Sequence, residues 1–361
     1  NGSTVLESVN IPAVTTFGNN TFQNCTNLKT AVFAAGATKT GNNTFNGCTS
    51  LTSVTLPTAI TELGQGLFQN CSSLKSVEIP DGVKKIQQNV FSGCSSLESI
   101  ILPSTLTEIA QNLFNGCAAL KSINIPTSVT KIGNSAFAGC TSLTELVLPS
   151  TITTIPNAMI QNCTGIKSIE LPESVTTINS NAFRGSGLTS FTFPPKVTVI
   201  NSIFAECKDL KSVTIPATIK TIQMSAFEGS GLESITIPEG VTALPNQGFI
   251  GCSSLKDVKL PSTITALPTF AFQNCTSLKS ITIPAKVTSY GSQTFAGCTA
   301  LEEVIIENPT PSNIGTGVFP FATNENLVIY VPDAALEAYK AHASWSADEY
   351  KGRIYGISTR E

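Results

Sequence analysis

Apolar and polar residues alternate along this chain in a unit that recurs every 23 residues. Residues 74–97 form one such unit, LKSVEIPDGVKKIQQNVFSGCSSL. Its opening L-x-x-V-x-I places Val77 and Ile79 two residues apart with polar Glu78 between them, which is the alternation of a half-buried β-strand. Pro80 lacks the N–H that a sheet requires and ends the strand. Each unit is therefore predicted to begin with a short strand.

The second half of the unit predicts a compact turn. Val83 and Ile86 are its next inward apolar positions. Phe91 and Cys94 stand three residues apart, the separation that puts two side chains on one face of a short helical turn. Gly93 helps to close that turn, because glycine tolerates backbone angles that other residues avoid. One unit thus contains a strand, a second apolar anchor and a turn, and then returns to the next strand.

The phenylalanine and cysteine positions recur in almost every unit. A buried phenylalanine contributes roughly 1.5–3 kcal/mol, so a phenylalanine in each turn is expected to form an aromatic row in the core. Ile160 takes the place of phenylalanine in one unit, and Phe319 marks a degenerate last unit. The other phenylalanine positions are 22, 45, 68, 91, 114, 137, 183, 204, 227, 249, 272 and 295. The cysteines are Cys25, Cys48, Cys71, Cys94, Cys117, Cys140, Cys163, Cys207, Cys252, Cys275 and Cys298.

Self-similarity at a fixed period predicts a solenoid of stacked coils. We expect about thirteen coils over residues 1–306, and a degenerate last coil with a C-terminal cap over 307–361. The interval between Phe183 and Phe204 is 21 residues, and that between Phe227 and Phe249 is 22. These shortened units are interpreted as drift in the array, with a functional bend as the alternative.

The C-terminal stretch is predicted to cover the open end of the last coil, because an uncovered end exposes apolar core and a strand edge. A final strand at 327–331 precedes a helix start, where the carboxylate of Asp333 would cap free N–H groups. The covering side chains would be Trp345, Tyr350, Ile354 and Tyr355. The N-terminal end shows no comparable cover and no initiator methionine or signal segment, so we expect more chain, including any export signal or anchor, to precede Asn1.

Composition and charge exclude two classes of partner. Charged residues make up 12% of the chain, against about 25% in an average globular protein. With 21 basic and 24 acidic residues the net charge is −3, which offers no electrostatic footprint for nucleic acid or an anionic membrane. No apolar run approaches the ~20 residues that a transmembrane helix needs. Neither nucleic acid nor a membrane span is predicted.

The cysteines are predicted to pack as a buried thiol row. Their number, 11, is odd, and stacked coils about 4.8 Å apart would hold neighbouring thiols with parallel Cβ vectors, which does not suit a disulfide. Ser186 and Ser230 fill the same position in two coils, so a small, weakly polar group suffices there. Cysteine then serves as a small apolar residue. A metal or redox role is the alternative, but no C-x₂-C pair or histidine partner accompanies the row.

No catalytic, cofactor or metal residues are predicted, and the chain is interpreted as a protein that is not an enzyme. His342, the single histidine, is expected at the surface of the cap. The carboxylates are scattered, about one per coil, without a spacing that would pair an acid with a base. Glycine-rich phosphate-binding motifs are absent from the sequence.

The consensus L-x-x-[IV]-x-[IL]-P-x-x-[VI]-x-x-I-x-x-x-x-F-x-x-C resembles the BspA-type, or Treponema pallidum-like, leucine-rich repeats of bacterial surface proteins. The resemblance covers residues 6 to about 320. The stretch 328–332, followed by 337–340 and Trp345, is similar to the closing segment of such proteins in gut bacteria. The resemblance implies a right-handed, β-rich solenoid with a parallel sheet on its concave side, short helical turns on the other side and a small C-terminal cap. It also implies a secreted or surface-exposed protein, often one that adheres to host proteins or other cells.

Solenoids usually bind partners on the strand face, so its outward positions are the candidate site. One outward register is mostly serine, interrupted by Glu145, Asp257 and Glu303, while the other is more varied. Serine and threonine that simply tolerate a crowded sheet are the alternative interpretation. The candidate partner-binding residues are Glu78, Ile101, Asn124, Glu145, Val147, Glu170, Asp257 and Lys259.

The sequence therefore predicts a non-catalytic, adhesin-like scaffold, extracellular or on the cell surface, for a host matrix or cell-surface protein. One rival is a passive spacer that presents another domain. Another is a glycan-binding module, although neither outward register carries aromatic side chains that could stack on sugars. Lysines one position before the serines, such as Lys75 and Lys121, are mixed with Glu98 and indicate a solvated edge rather than a polyanion track. The oligomeric state is left open.

Overall fold

A computed structural model describes residues 2–12, 17–322 and 324–360. Asn1, before which the sequence predicts more chain, lies outside them. The chain divides into two compact units, Asn1–Leu188 (unit 1) and Thr189–Glu361 (unit 2). Over the described residues it winds into about 15 turns of parallel strands with very little helix. The predicted leucine-rich-repeat-like solenoid is confirmed.

Each coil of unit 1 brings two short segments against its neighbours. The first, at the L-x-x-V-x-I motif, forms the first-strand row, and the second, ending at the isoleucine anchor, forms the second-strand row. Both rows pair in parallel, for example Ser8 with Thr30 and Glu62 with Lys85. The first-strand row contains Ser8–Ile11, Thr30–Phe33 and Ser53–Thr55. The second-strand row contains Glu62–Leu63, Lys85–Ile86, Glu108–Ile109, Lys131–Ile132, Thr154–Ile155 and Thr177–Ile178.

The first-strand row of unit 1 is interrupted after its third strand. The corresponding segments keep the alternation of buried and exposed residues but form no regular ladder. Only their starts are bonded between coils, as between the Glu98 N–H and the Lys75 carbonyl at 2.9 Å. The interrupted segments are 76–79, 99–102, 122–125, 145–148 and 168–171.

Unit 2 contains the same two rows, and its first segments form strands that pair in three separate parallel ladders. Its first strands are Ser190–Thr192, Ser212–Thr214, Ser234–Thr236, Asp257–Lys259, Ser280–Ile283, Glu303–Ile306, Val328–Val331 and Ile354–Gly356. Its second strands are Val199–Ile200, Thr221–Ile222, Ala266–Leu267 and Ser289–Tyr290. The last two first strands belong to the C-terminal stretch, so the ladder continues into the predicted cap.

The aromatic row predicted from the sequence forms the core of both units. In unit 1 the rings of Phe91 and Phe114 are stacked with centroids 5.6 Å apart and an interplanar angle of 2°. In unit 2 Phe249 and Phe272 are stacked at 5.3 Å and 5°. Phe319 continues the unit 2 stack at 5.7 Å from Phe295, as expected of a degenerate last coil.

The turn beneath the aromatic row resembles a 3₁₀ helix in its bonds but not in its backbone angles. The Cys94 N–H donates to the Phe91 carbonyl three residues earlier, at 3.1 Å. Two positions in each such turn, for example Asn89 and Gly93, have positive φ angles of 62° and 76°. These left-handed residues stop the turn from becoming a regular helix.

All eleven cysteines are buried free thiols, so the predicted thiol row is present. In most coils the thiol also joins two coils. The Cys94 Sγ donates to the Phe68 carbonyl of the preceding coil at 3.1 Å, and Cys275 Sγ does the same to Phe249 at 3.2 Å. Burial raises the pKa of Cys94 to about 12, because the apolar surroundings disfavour the thiolate. These thiols therefore act as packing groups and hydrogen-bond donors.

The C-terminal stretch differs from the sequence-based expectation in two ways. The strand at 328–331 is not the last, because Ile354–Gly356 pairs beside it in parallel. Asp333 does not cap the helical segments Asp333–Ala335 and Leu336–Ala341. Its carboxylate instead accepts bonds from the N–H and hydroxyl of Ser358, at 3.2 and 2.9 Å, and so holds the end of the chain.

Aromatic packing in the cap largely follows the prediction. Trp345, Tyr350 and Ile354 are buried, whereas Tyr355 is 41% exposed. The indole N–H of Trp345 donates to the Ser312 carbonyl at 2.8 Å. Short 3₁₀ segments at Asp348–Tyr350 and Ile357–Thr359 complete the stretch.

Candidate partner-binding face

Most of the candidate residues point outward because their neighbours on both sides point inward. Val77 and Ile79 are almost fully buried, and Glu78 between them is exposed. Glu145 and Asp257 each follow another exposed residue and have a buried neighbour on one side only. All eight candidates are exposed: Glu78, Ile101, Asn124, Glu145, Val147, Glu170, Asp257 and Lys259.

Ile101 and Val147 are the most exposed apolar side chains of the first-strand row of unit 1, in which Val32, at the same repeat position, is 45% exposed. Ile101 is 86% exposed and Val147 is 65% exposed. They occupy the same repeat position two coils apart, with Asn124 on the coil between them. At about 4.8 Å per coil they lie roughly 10 Å apart. Glu78 and Glu170 occupy this position on the coils that flank the pair, so the column reads acidic, apolar, polar, apolar, acidic.

A groove opens beside Val147, where the ladder is interrupted. Glu145, Val147 and Glu170 line this space of about 490 Å³. No backbone hydrogen bond joins its walls, 145–148 and 168–171, both of which lie wholly within the described chain. Peptide N–H and C=O groups of these walls are therefore open to solvent or to a partner.

Asp257 and Lys259 lie apart from this column, on one strand of unit 2. In the ladder they stand opposite Ser234 and Thr236 of the preceding strand. They line a groove of about 440 Å³, in which the Glu239 carboxylate accepts a bond from the Ser262 hydroxyl at 2.9 Å. The structure thus brings Glu145, Val147 and Glu170 together in unit 1, and separately Asp257 with Lys259 in unit 2.

Charges of both signs border the outward columns, as the sequence predicts. Lys121 pairs with Glu98 at 3.0 Å, and this bond lowers the pKa of the Glu98 carboxyl. In unit 2 Lys256 and Lys211 both contact Glu233 and lower its pKa in the same way. Such exposed pairs contribute little to stability.

A second groove, on the second-strand row of unit 1, was not foreseen from the sequence. It encloses about 590 Å³ and is lined by side chains that include Lys84, Lys85, Gln88 and Gln111. The available signal was a column of amides at one repeat position, namely Asn42, Gln65, Gln88, Gln111, Asn134 and Asn157.

His342, which follows the helix Leu336–Ala341 in the cap, is half-buried. Its Nδ1 accepts a bond from the Ser344 N–H at 3.2 Å. Within residues 2–12, 17–322 and 324–360, no group of three or more His, Cys, Asp and Glu side chains is placed to hold a metal ion. The same residues contain no helix of the length and apolar character needed to span a membrane.

Comparison with protein families gives matches over most of the chain. The family described as "BspA type Leucine rich repeat region (6 copies)" matches residues 1–120, 84–203 and 201–327. A comparison with curated proteins gave no match.

Several solved structures are similar. A leucine-rich repeat protein from Bacteroides ovatus is 28% identical, with a TM-score of 0.71 over 91% of this chain and 92% of that one. A leucine-rich cell surface protein from Faecalibacterium prausnitzii has 24% identity and a TM-score of 0.57, over 98% and 88% of the two chains. A leucine-rich repeat protein from Eubacterium ventriosum has 23% identity and a TM-score of 0.52, over 75% and 83%. The last two likenesses concern the fold alone.

Proposed function

Because the chain belongs to the family of BspA-type leucine-rich repeat proteins, we propose that it is a non-catalytic scaffold that binds a protein partner on the first-strand row. Leucine-rich repeats generally serve in protein interactions, since stacked coils present an extended strand surface. The proposal includes residues 1–306 as the binding array and 307–361 as its degenerate last coil and cap.

The observation that carries this proposal is the exposure of Ile101 and Val147. Isolated apolar residues at a surface are ordinary, but these two repeat at one position of one row. The same position in unit 2 holds mainly threonine, as at Thr192 and Thr214. A row that served only as a spacer would have no need for the two apolar side chains in place of polar ones.

The charges around the pair define the chemistry of the partner. Glu78, Glu145 and Glu170 surround Ile101 and Val147 on the outward columns. A complementary protein segment would place two apolar side chains roughly 10 Å apart, with basic side chains at either end.

We place the protein outside the cell or on its surface, with a host matrix or cell-surface protein as its partner. Two facts support this location. The family is that of BspA-type repeats, and a protein of the same fold from Faecalibacterium prausnitzii is described as a cell surface protein. The burial of the thiols fits this setting, because the raised pKa of groups such as Cys94 makes them resistant to oxidation.

The test is a binding screen against purified extracellular-matrix and serum proteins, read by biolayer interferometry, with the double variant Ile101→Ser/Val147→Ser. We expect one partner to bind the full chain and its affinity to fall about tenfold for each apolar side chain removed. The matched control is Thr192→Ser/Thr214→Ser, at the same repeat position in unit 2, which should bind normally.

Two results would contradict the proposal. If no matrix or serum protein binds, the passive spacer is favoured. If a protein binds and both double variants behave like the unmodified chain, the partner lies on another surface. Thermal unfolding of each variant checks that the fold is retained, as expected for exposed positions.

A further inference from the structure

The groove on the second-strand row of unit 1 has the features of a ligand site that is separate from the proposed protein-binding face. It is formed where one repeat position changes from Gln87 to Ala110 in the following coil. The Gln87 side chain reaches back and donates to the Glu62 carboxylate at 2.6 Å. Ala110 cannot reach back in this way, so the space beside Lys85 stays open.

Amide side chains without a protein hydrogen-bond partner line this groove. Gln88 and Gln111 are exposed, and their side chains make no hydrogen bond within the described part of unit 1. Asn134, at the same repeat position, uses only its Oδ1, which accepts from the Asn157 N–H at 3.2 Å. Each free amide presents two N–H donors and an acceptor oxygen to a ligand.

Unpaired positive charge also lies in this groove. Lys84 and Lys85 are exposed and form no salt bridge over the described residues, whereas Lys131 pairs with Glu108 at 3.0 Å. The Glu62 carboxylate nearby already binds Lys39 at 3.0 Å. Lys84 and Lys85 thus leave the groove positively charged on a chain whose net charge is −3, although Lys85 lies close enough to Glu62 to help lower the pKa of that carboxyl.

We propose that this groove binds an acidic oligosaccharide. Side-chain amides bind the neighbouring hydroxyls of a sugar, and the two lysines bind its carboxylate or sulfate groups. The amides recur at about 4.8 Å per coil, close to the length of one sugar residue in an extended chain. An acidic peptide fits less well, because peptide binding depends on apolar anchors and the apolar floor residues Ile86 and Ile132 are buried.

The test measures binding of α-1,4-linked tetragalacturonate to the full chain by isothermal titration calorimetry at low salt. Maltotetraose supplies the same linkage without charge, and tetraglutamate supplies four side-chain carboxylates without sugar hydroxyls. We expect tetragalacturonate to bind most tightly and to weaken as salt rises, because the lysines are exposed. Tighter binding of tetraglutamate, equal binding of maltotetraose, or no binding of tetragalacturonate would overturn the proposal.

Three variants locate the site. Lys84→Gln/Lys85→Gln is expected to lower the affinity about tenfold, and Gln88→Ala/Gln111→Ala by a similar factor. Ala110→Gln introduces the side chain that the preceding coil carries at this position, so it should fill the groove without changing the charge. The matched control is Lys75→Gln/Lys196→Gln, which removes two exposed lysines elsewhere. An equal loss in the control, or full affinity in all three groove variants, would overturn the proposal.

The result is independent of the protein-binding proposal. Ile101→Ser/Val147→Ser alters the other row and should leave tetragalacturonate binding unchanged, while the groove variants should leave the protein partner bound. Circular dichroism melting curves for each variant separate loss of binding from loss of fold.

Discussion

Unit 1 and unit 2 are wound from the same repeat, yet their first-strand rows differ. In unit 2 the first strands pair in three separate parallel ladders, and their outward positions are mostly serine and threonine. In unit 1 the ladder stops after Ser53–Thr55, and the outward column beyond it holds Ile101 and Val147. The inward positions do not differ in this way, since both units stack phenylalanine rings and bury thiols.

This difference shows that core and surface of a coil are specified separately. The core position of each residue follows from inward packing against the coils on either side, which demands the same volume in every coil. The outward column meets only solvent, so its residues and even its backbone pairing can change without loss of the core. Binding surfaces can therefore be placed on selected coils of an otherwise uniform array.

The largest expected effect tests whether the same steric restriction governs the turn glycine in both units. Gly93 has a φ of 76°, and a methyl group added there would collide with the Asn70 Oδ1 of the preceding coil. Gly116 has the same φ, but its nearest neighbour, the Gly93 Cα, is 3.6 Å away. Gly93→Ala should lower the free energy of unfolding by about 3 kcal/mol, because it combines the collision with an unfavourable left-handed angle. Gly116→Ala should lower it by about 1 kcal/mol, because only the left-handed angle disfavours alanine there.

Urea denaturation measures both losses. The double variant Asn70→Gly/Gly93→Ala removes the colliding side chain, so its loss should shrink to about that of Gly116→Ala. Unit 2 offers the same pair. Gly297 faces Asn274, whereas the nearest atom to a methyl group on Gly251 is 3.7 Å away. Equal losses for all four glycine variants would show that the collision does not govern this position.

A smaller effect concerns the thiols and pH. Unfolded cysteines ionise near pH 9.0, whereas burial raises the pKa of Cys94 in unit 1 to about 12 and that of Cys252 in unit 2 to about 11. The native state thus holds protons that the unfolded state has lost, so stability is complete below pH 9 and falls as pH rises towards 11 or 12. Each such thiol should lower the free energy of unfolding by about 1.4 kcal/mol per pH unit across this window.

Urea denaturation at pH 8 and pH 10 checks this slope. Cys94→Ser, which uses the residue found naturally at Ser186 and Ser230, should fold and show a shallower decline by about one thiol. A decline unchanged in this variant would mean that Cys94 is not protonated in the native state as its burial implies. The hydroxyl of Ser230 contacts the Cys252 Sγ at 3.5 Å and lowers the pKa of that thiol relative to burial alone. The loss of stability that Cys252 causes should therefore end at a lower pH than the loss that Cys94 causes.

The smallest effect leaves stability unchanged and concerns amide exchange. The segment 145–148 in unit 1 has no backbone bond to 168–171, whereas 280–283 in unit 2 pairs with 303–306 in a regular ladder. Hydrogen exchange followed by mass spectrometry should show at least about 100-fold slower exchange in the unit 2 segment. Similar protection in both segments would remove the distinction between the two rows.

Much of the architecture was predictable from the sequence. The 23-residue period, the inward valines, isoleucines and phenylalanines, and the buried thiol row all follow from local alternation and from the volume that each coil must fill. The exposure of Ile101 and Val147 was predictable for the same reason, since each stands between two buried residues. The candidate residues therefore lie at the surface as expected, and their binding role stays a prediction.

Local alternation could not determine how neighbouring coils pair, because first segments with the same pattern form paired strands in unit 2 and form no strands over 76–171 in unit 1. Hydrogen bonds between coils depend on the spacing and orientation of residues about 23 positions apart, which the pattern within one coil does not encode. The same holds for Asp333, which binds Ser358 rather than its own helix, and for the groove beside Lys85, which exists because Ala110 follows Gln87 in space. The sequence by itself determined which side chains lie inside each coil, through their hydrophobicity and volume, whereas contacts between coils decided where the strands pair and where grooves open.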